Sequence, residues 1–202
     1  MEAVFVGRPN VGKSLLLINF CEYLGIRRLG PVDPHPKERM PTWTPAEARR
    51  RFVSAFPNRV LEPLAVAVSL VPGGHSGPTL VLRDTPGIPT GTVAEAAVRQ
   101  AVAAGLGHLL GASLILHVVD ATADPETDPQ AQAVDAALWA LARHLAPSVV
   151  VANKAETEGA VVAIRRLREQ LGGPVLPVSA VTRLGFRDLK RWLWEQFQAA
   201  RP

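Results

Sequence analysis

Residues Gly7 to Ser14 read G-R-P-N-V-G-K-S. The run Glu2-Ala3-Val4-Phe5-Val6 before them is short, apolar and β-prone, and Leu15-Leu16-Leu17-Ile18-Asn19-Phe20 after them has the character of a buried helix. Strand, glycine-bounded loop and helix, in that order, is the setting in which this pattern holds phosphate. Between Gly7 and Leu15, the backbone N–H groups of Asn10, Val11, Gly12 and Lys13 would point into the loop around a β-phosphate. The positive end of the helix adds to the attraction. Lys13 would reach β- and γ-phosphate oxygens, and the Ser14 hydroxyl would ligate Mg²⁺.

A chain of 202 residues, 48% hydrophobic and 20% charged, suits one domain with a full core. No uninterrupted apolar run reaches membrane-spanning length, and the chain opens directly on the first strand, which argues against a signal peptide. The single cysteine, Cys21, rules out an internal disulfide and fits a reducing cytoplasm. In its apolar helical setting it reads as a packed thiol. The net charge of +4 permits an RNA or ribosomal partner without requiring one.

Strand and helix patterns alternate along the rest of the chain. Prolines at 31, 34, 36, 41 and 45 forbid a regular element from Gly25 to Pro45. Thr44-Pro45-Ala46-Glu47 predicts a capping box opening a helix to about Phe56. Leu64–Val71 and Thr79–Arg83 predict a hairpin across the turn Pro72–Gly77. Thr92-Val93-Ala94-Glu95 predicts a second capping box and a helix to Leu110. Leu114–Val119 is a continuous apolar strand, as in a buried parallel sheet. A loop at Asp124–Pro129 leads to a helix over Gln130–Leu145, with Val134, Leu138, Leu141 and Leu145 expected on its buried face. Strands at Val149–Ala152 and Val175–Val178 bracket a helix over Gly159–Leu171. The last helix, Phe186–Ala199, carries a core stripe of Phe186, Leu189, Leu193 and Phe197, with Trp192 and Trp194 at its rim. The sum is an α/β, three-layer architecture. Its six-stranded sheet is mostly parallel, with one antiparallel hairpin strand.

Three further motifs follow strand ends in order: Asp84-Thr85-Pro86-Gly87, Asn153-Lys154-Ala155-Glu156 and Ser179-Ala180. With the phosphate loop, they make the chain resemble the translation-factor-class P-loop GTPases, especially the Era/TrmE/FeoB-like G domains, over nearly its whole length. The resemblance implies one G domain over 1–202, with a first switch at about 25–61 and a second at about 87–93. It implies that Asp84 holds Mg²⁺ through water and that the Gly87 N–H meets the γ-phosphate. Asn153 would support the base and loop, and the Lys154 stem would lie along the purine. The acidic side chain would pair with guanine N1–H and N2–H₂, and the Ala180 amide, beside Ser179, would meet O6. Here the acid is Glu156 where the family carries aspartate; it can still accept both donors, and adenine offers no matching pair.

The threonine that caps Mg²⁺ in such proteins is not singled out; Thr42 and Thr44 are the candidates. Arg39, three residues before Thr42, has the spacing of the built-in arginine of G-protein α subunits, or is a solvated loop side chain. Ile88 stands where Ras-like proteins carry a water-orienting glutamine. Asn10 either steadies the loop or, as the resemblance implies, helps bind K⁺ beside the phosphates. Arg49-Arg50-Arg51 reads as a solvated helix face or an RNA contact. His75 and His117 lack metal-ligand companions at useful spacing. The expected function is an Mg²⁺-dependent, cytoplasmic GTP/GDP switch with slow hydrolysis. A nucleotide-binding scaffold without useful turnover is the alternative; an ATPase is disfavoured by Asn153-Lys154. No KH-like RNA module or membrane segment follows the motifs, which points away from a complete Era or FeoB. Oligomeric state stays open, a nucleotide-dependent dimer included.

Overall fold

The computed structural model describes residues 1–30, 41–53, 64–70, 79–123 and 128–200. Arg39, His75, the 72–77 turn and most of the 124–129 loop lie outside the described residues, as does part of the expected first switch. Twelve elements follow in chain order: β1 (Glu2–Val6), α1 (Lys13–Tyr23), α2 (Pro45–Phe52), β2 (Ala65–Ser69), β3 (Thr79–Asp84), α3 (Ala96–Leu110), β4 (Leu114–Asp120), α4 (Pro129–Leu145), β5 (Ser148–Asn153), α5 (Ala160–Leu171), β6 (Val175–Pro177) and α6 (Phe186–Ala199). They form one six-stranded sheet ordered β2-β3-β1-β4-β5-β6. Within this sheet, among the described residues, the β2–β3 pair alone is antiparallel. The mostly parallel sheet with one hairpin strand is therefore present as expected.

Side-chain alternation divides the core into two layers. Leu114, Leu116 and Val118 of β4, with Val149 and Val151 of β5, pack in one cluster with Leu16, Leu17 and Phe20 of α1 and with the whole α6 stripe. Residues one step along those strands face α3, α4 and α5: Ile115 joins Leu109 and Leu138, while Val150 joins Trp139 and Ile164. This period-two division buries both faces of the central strands, which is why they read as unbroken apolar runs. Trp192 and Trp194 are partly buried against the first cluster, at its rim. Cys21 is fully buried, and burial pushes its thiol pKa up to about 12, so it is a packed, inert group.

The capping box at Thr44 forms: its hydroxyl accepts from the Glu47 N–H at 3.3 Å, and Glu47 accepts from the Thr44 N–H at 2.7 Å. The helix stops at Phe52 rather than Phe56. Phe52 completes the buried set Pro45, Ala48, Phe52, and the exposed Val53 is already extended. The second capping box does not form. Helix α3 begins at Ala96, after an extended Glu95 with no side-chain cap. Arg99 reaches back to the Val93 and Ala94 carbonyls. The buried face of α4 is also turned from expectation: Ala131, Asp135, Leu138, Trp139 and Ala142 point inward, while Leu141 and Leu145 are exposed. Trp139 fixes this rotation by donating its indole N–H to the Leu171 carbonyl at 2.7 Å and packing so close to Gly173 that a Cβ there would meet its ring at 2.3 Å. No helix among the described residues is long and apolar enough to cross a membrane.

The rotation of α4 has a direct consequence. Leu138→Ala should lower unfolding free energy by about 2–4 kcal/mol, and Leu141→Ala by less than about 1 kcal/mol, in urea titrations. Equal losses would restore the face expected from the apolar spacing.

Candidate nucleotide site

The carboxyl ends of β1, β3, β4 and β5 carry the phosphate loop, Asp84, Asp120 and Asn153 respectively. In open α/β sheets this is the edge where ligands lie. The loop's path depends on left-handed backbone. Gly12 has φ 91°, and a Cβ there would come within 2.4 Å of Asn153 Nδ2. Asn10 adopts φ 61°, a region asparagine tolerates better than most residues. Helix α1 starts behind Gly12 with no side-chain cap, which leaves its first N–H groups directed at the loop.

Lys13 is buried, and its ammonium donates to the carbonyls of Gly7 at 3.0 Å and Arg8 at 2.7 Å. Burial lowers its pKa from 10.5 to about 8, opposed by the charges of Asp84 and Asp135. Ser14 Oγ donates to Asp84 Oδ2 at 2.5 Å, and the Thr85 N–H donates to the other carboxylate oxygen at 3.0 Å. Burial raises the pKa of Asp84, while Lys13, Ser14 and Thr85 pull it down. A hydroxyl and a carboxylate converging beside a phosphate loop are hard oxygen donors that suit Mg²⁺ completed by phosphate and water. Among the described residues no cluster of three or more His, Cys, Asp or Glu could hold a metal by itself. Gly87 lies against the loop: a Cβ there would meet Pro9 N at 2.5 Å, and the Ile88 N–H donates to the Gly7 carbonyl at 3.1 Å. The Ile88 side chain packs on the cluster of Val6, Leu109 and Ile115.

At the other end, Asn153 is buried and bonds in two directions. Its Nδ2 donates to the Val11 carbonyl at 2.8 Å, and its Oδ1 accepts from the Ala180 N–H at 2.9 Å. The amide expected at guanine O6 thus already has an internal partner, which a base would have to share. Ser179 is buried, and its Oγ accepts from the Thr182 N–H at 2.9 Å, which shapes this loop. Lys154, at φ 65°, pairs with Asp120 at 2.5 Å, while Glu156 is exposed at the open edge. Burial pushes the Asp120 pKa up, but bonds from Lys154 and Thr122 outweigh it and hold the carboxyl below its ordinary value.

Thr42 and Thr44 have other partners here. The Thr42 hydroxyl accepts from Arg28 at 2.8 Å, and the Thr44 hydroxyl belongs to the α2 capping box. The arginine triplet is not a uniform solvated face either. Arg49 is half-buried in an ion pair with Glu22, and Arg51 lies 5.3 Å from the Trp43 ring centre.

Three contributors escape sequence reading. Asp120 closes an apolar strand without a motif of its own. Arg8 pairs with Asp135 of α4 at 2.8 Å, a link across 127 positions, and Asp135 faces the fully buried His117 at 3.6 Å. Asn19 donates to the Ala180 carbonyl at 2.7 Å. A cavity of about 640 Å³ lies between α4 and α5, with Arg8, Asp120 and Asp135 on its wall beneath the site.

The fold is shared with solved structures. Era in complex with MgGDPNP and nucleotides 1506–1542 of 16S ribosomal RNA aligns over 96% of this chain and 56% of that one, at 20% identity and a TM-score of 0.67. The G domain of the T. maritima FeoB iron transporter aligns over 97% and 98%, at 20% identity and 0.58. The chain has the P-loop GTPase G-domain fold. A probable GTP-binding protein engB matches this G domain over 98% and 99% of the two chains, at 17% identity and 0.60. In sequence it is 30% identical over 190 residues to GTPase Obg of Desulfitobacterium hafniense, covering 91% of this chain and 37% of that protein. With GTPase Obg of Corynebacterium glutamicum it shares 33% over 219 residues, covering 97% and 40%. The G domain thus spans less than half the length of these curated relatives. No protein-family model matches it.

The buried Lys13 makes a pH prediction. Below about pH 8 it is charged in both the folded and unfolded chain, and its burial is a full cost. Between about pH 8 and 10.5 the folded chain gives up the proton first, so the unfolded state binds more protons and stability from this group rises with pH. Lys13→Met should therefore stabilise the nucleotide-free protein at about pH 7, and its advantage should shrink by about pH 10. Denaturant midpoints measured across that range check this. An advantage independent of pH would mean that the ammonium is not desolvated.

Proposed function

We propose that this G domain binds GTP and GDP with Mg²⁺ and hydrolyses GTP slowly, as a molecular switch. The observation that carries the reading is the joint placement of Lys13, the Ser14–Asp84 pair and Asn153 on one sheet edge, with Asn153 bonded to both the phosphate loop and the Ser179-Ala180 loop. GTPase relatives that are 30–33% identical to the chain over aligned stretches of 190–219 residues support it.

In this reading the loop amides from Asn10 to Lys13 take the β-phosphate. Lys13 exchanges its two carbonyl acceptors for β- and γ-phosphate oxygens, so the triphosphate adds to the counter-charge of Asp84 and Asp135. Ser14 and Asp84 hold Mg²⁺, Asp84 through water, and the ion neutralises phosphate charge when bound. The Gly87 N–H approaches the γ-phosphate, where its contact with Pro9 leaves no room for a side chain. Water attacks the γ-phosphorus in line, the bond to the β–γ bridging oxygen breaks, and GDP leaves with that electron pair. Catalysis is mainly positioning and charge stabilisation. With Ile88 turned into the core, no side chain at that position orients the water, so turnover is slow. Glu156 accepts from guanine N1–H and N2–H₂ and sets the preference over adenine, and Lys154 covers the purine face. Thr42 or Thr44 would have to leave its present partner to reach Mg²⁺. Asn10 contributes to a K⁺ site beside the phosphates that offsets developing charge.

Single-turnover assays test the reading. Wild-type protein should convert GTP to GDP and phosphate, and Lys13→Ala should reduce the rate at least about a hundredfold. Wild-type turnover in Lys13→Ala would refute the site. K⁺ should accelerate hydrolysis over Na⁺ at equal ionic strength by about tenfold, and Asn10→Ala should remove the difference while GDP still binds. Equal rates in the two salts would remove K⁺ and leave the rest of the mechanism standing.

A further inference from the structure

Helix α2 lies within the expected first switch, yet it is anchored to the base-binding end of the molecule. Its Arg49 guanidinium bridges two side chains of α1, donating to Asn19 Oδ1 at 2.7 Å and Glu22 Oε2 at 3.0 Å. Both acceptors continue to the loop that follows β6. Asn19 Nδ2 donates to the Ala180 carbonyl at 2.7 Å, and Glu22 Oε2 accepts from Arg183 at 2.8 Å. On its other side, the Ala180 N–H is held by Asn153, which also holds Val11. A continuous path therefore runs from α2 through α1 and the Ala180 loop to the phosphate loop.

The chemistry of this path is directional. A guanidinium only donates, so Arg49 obliges Asn19 to present its oxygen, which leaves the amide nitrogen facing the Ala180 carbonyl. Asn19 is 8% exposed, so its bonds are sheltered from water, whereas the Glu22–Arg183 pair is half-exposed and contributes less. The Arg49 bond is the first cause of the lowered Glu22 pKa. Apolar contacts set the distance: Ala48 and Phe52 are buried in the main core, and Phe52 meets Trp43 edge-to-face at 5.0 Å. Trp43 in turn is paired to Leu29 by two backbone bonds of 2.7 Å.

We propose that Arg49 is a positioning residue for guanine recognition: seated on α1, it holds the Ala180 loop through Asn19 and Glu22, so the docking of α2 sets how tightly a guanine nucleotide is retained. This rests on the guanine-nucleotide reading above. A first switch that moves α2 off α1 would loosen the base site, linking the phosphate end to nucleotide release.

Arg49→Met keeps the stem and removes the donors. GDP release from this variant, followed with a fluorescent GDP, should quicken by about threefold to tenfold, the range for a partly exposed charge-assisted bond. ADP affinity should not change, because the Ala180 amide serves guanine O6 and adenine has no acceptor at that position; a merely destabilised fold would weaken both nucleotides. Arg49→Lys should restore part of the retention, and Arg50→Met, on the exposed side of the same helix, should have no effect. Amide hydrogen exchange of the nucleotide-free protein should quicken at Ala180 and Arg183 in Arg49→Met. Unchanged exchange there, or equal weakening of GDP and ADP, overturns the relay. Wild-type protein that bound GDP no better than ADP would defeat the guanine reading, and the exchange measurement would still decide the relay.

Discussion

The side-chain amide of Asn153 is the joint on which the site depends. It stands at the buried end of β5, and its nitrogen and oxygen are each committed to a different backbone, the Val11 carbonyl and the Ala180 N–H. Both bonds are shielded from water, where loss of either partner leaves an unsatisfied group at a cost of about 1–3 kcal/mol. The close approach of Gly12 to the same amide shows how little space separates the two loops. One residue thereby ties together two loops that lie far apart in sequence.

Charge is distributed to match. The phosphate-loop end holds a buried lysine whose charge is countered by Asp84 and Asp135, and burial lowers its pKa to about 8. A nucleotide phosphate would relieve that tension, so binding and folding stability are linked. The Lys154–Asp120 pair is less buried, and it fixes the position of the lysine stem. Arg8 and Asp135 brace the same loop from the α4 side, next to the buried His117.

Much of this was legible in the residues because local rules and tertiary packing agree. The strand–loop–helix around G-R-P-N-V-G-K-S, the Thr44 capping box and the α6 stripe each need only neighbouring residues to be read. The α4 stripe was misread because alanine-rich helices offer several apolar faces of similar quality; the hydrogen bond from Trp139 to Leu171 chooses between them, and that partner lies 32 positions away. Thr92 failed as a cap because the irregular segment after Gly87 runs on to Glu95, a continuation that spacing alone does not reveal. Arg8–Asp135 and Arg49–Asn19–Ala180 are pairings across the fold, made by side chains whose types are common in loops and on helix surfaces. The arginine triplet shows the limit well: three identical residues in a row have three different environments.

The central claim is that one sheet edge reads both the phosphates and the guanine base. Calorimetric titration of the Mg²⁺-containing protein with GDP and with ADP tests it most directly. GDP should bind at least about a hundredfold more tightly than ADP, since a site built to pair with donors discriminates strongly against a base that lacks them. The preference should largely disappear in Glu156→Ala. Equal affinities of GDP and ADP for the wild-type protein would contradict the account.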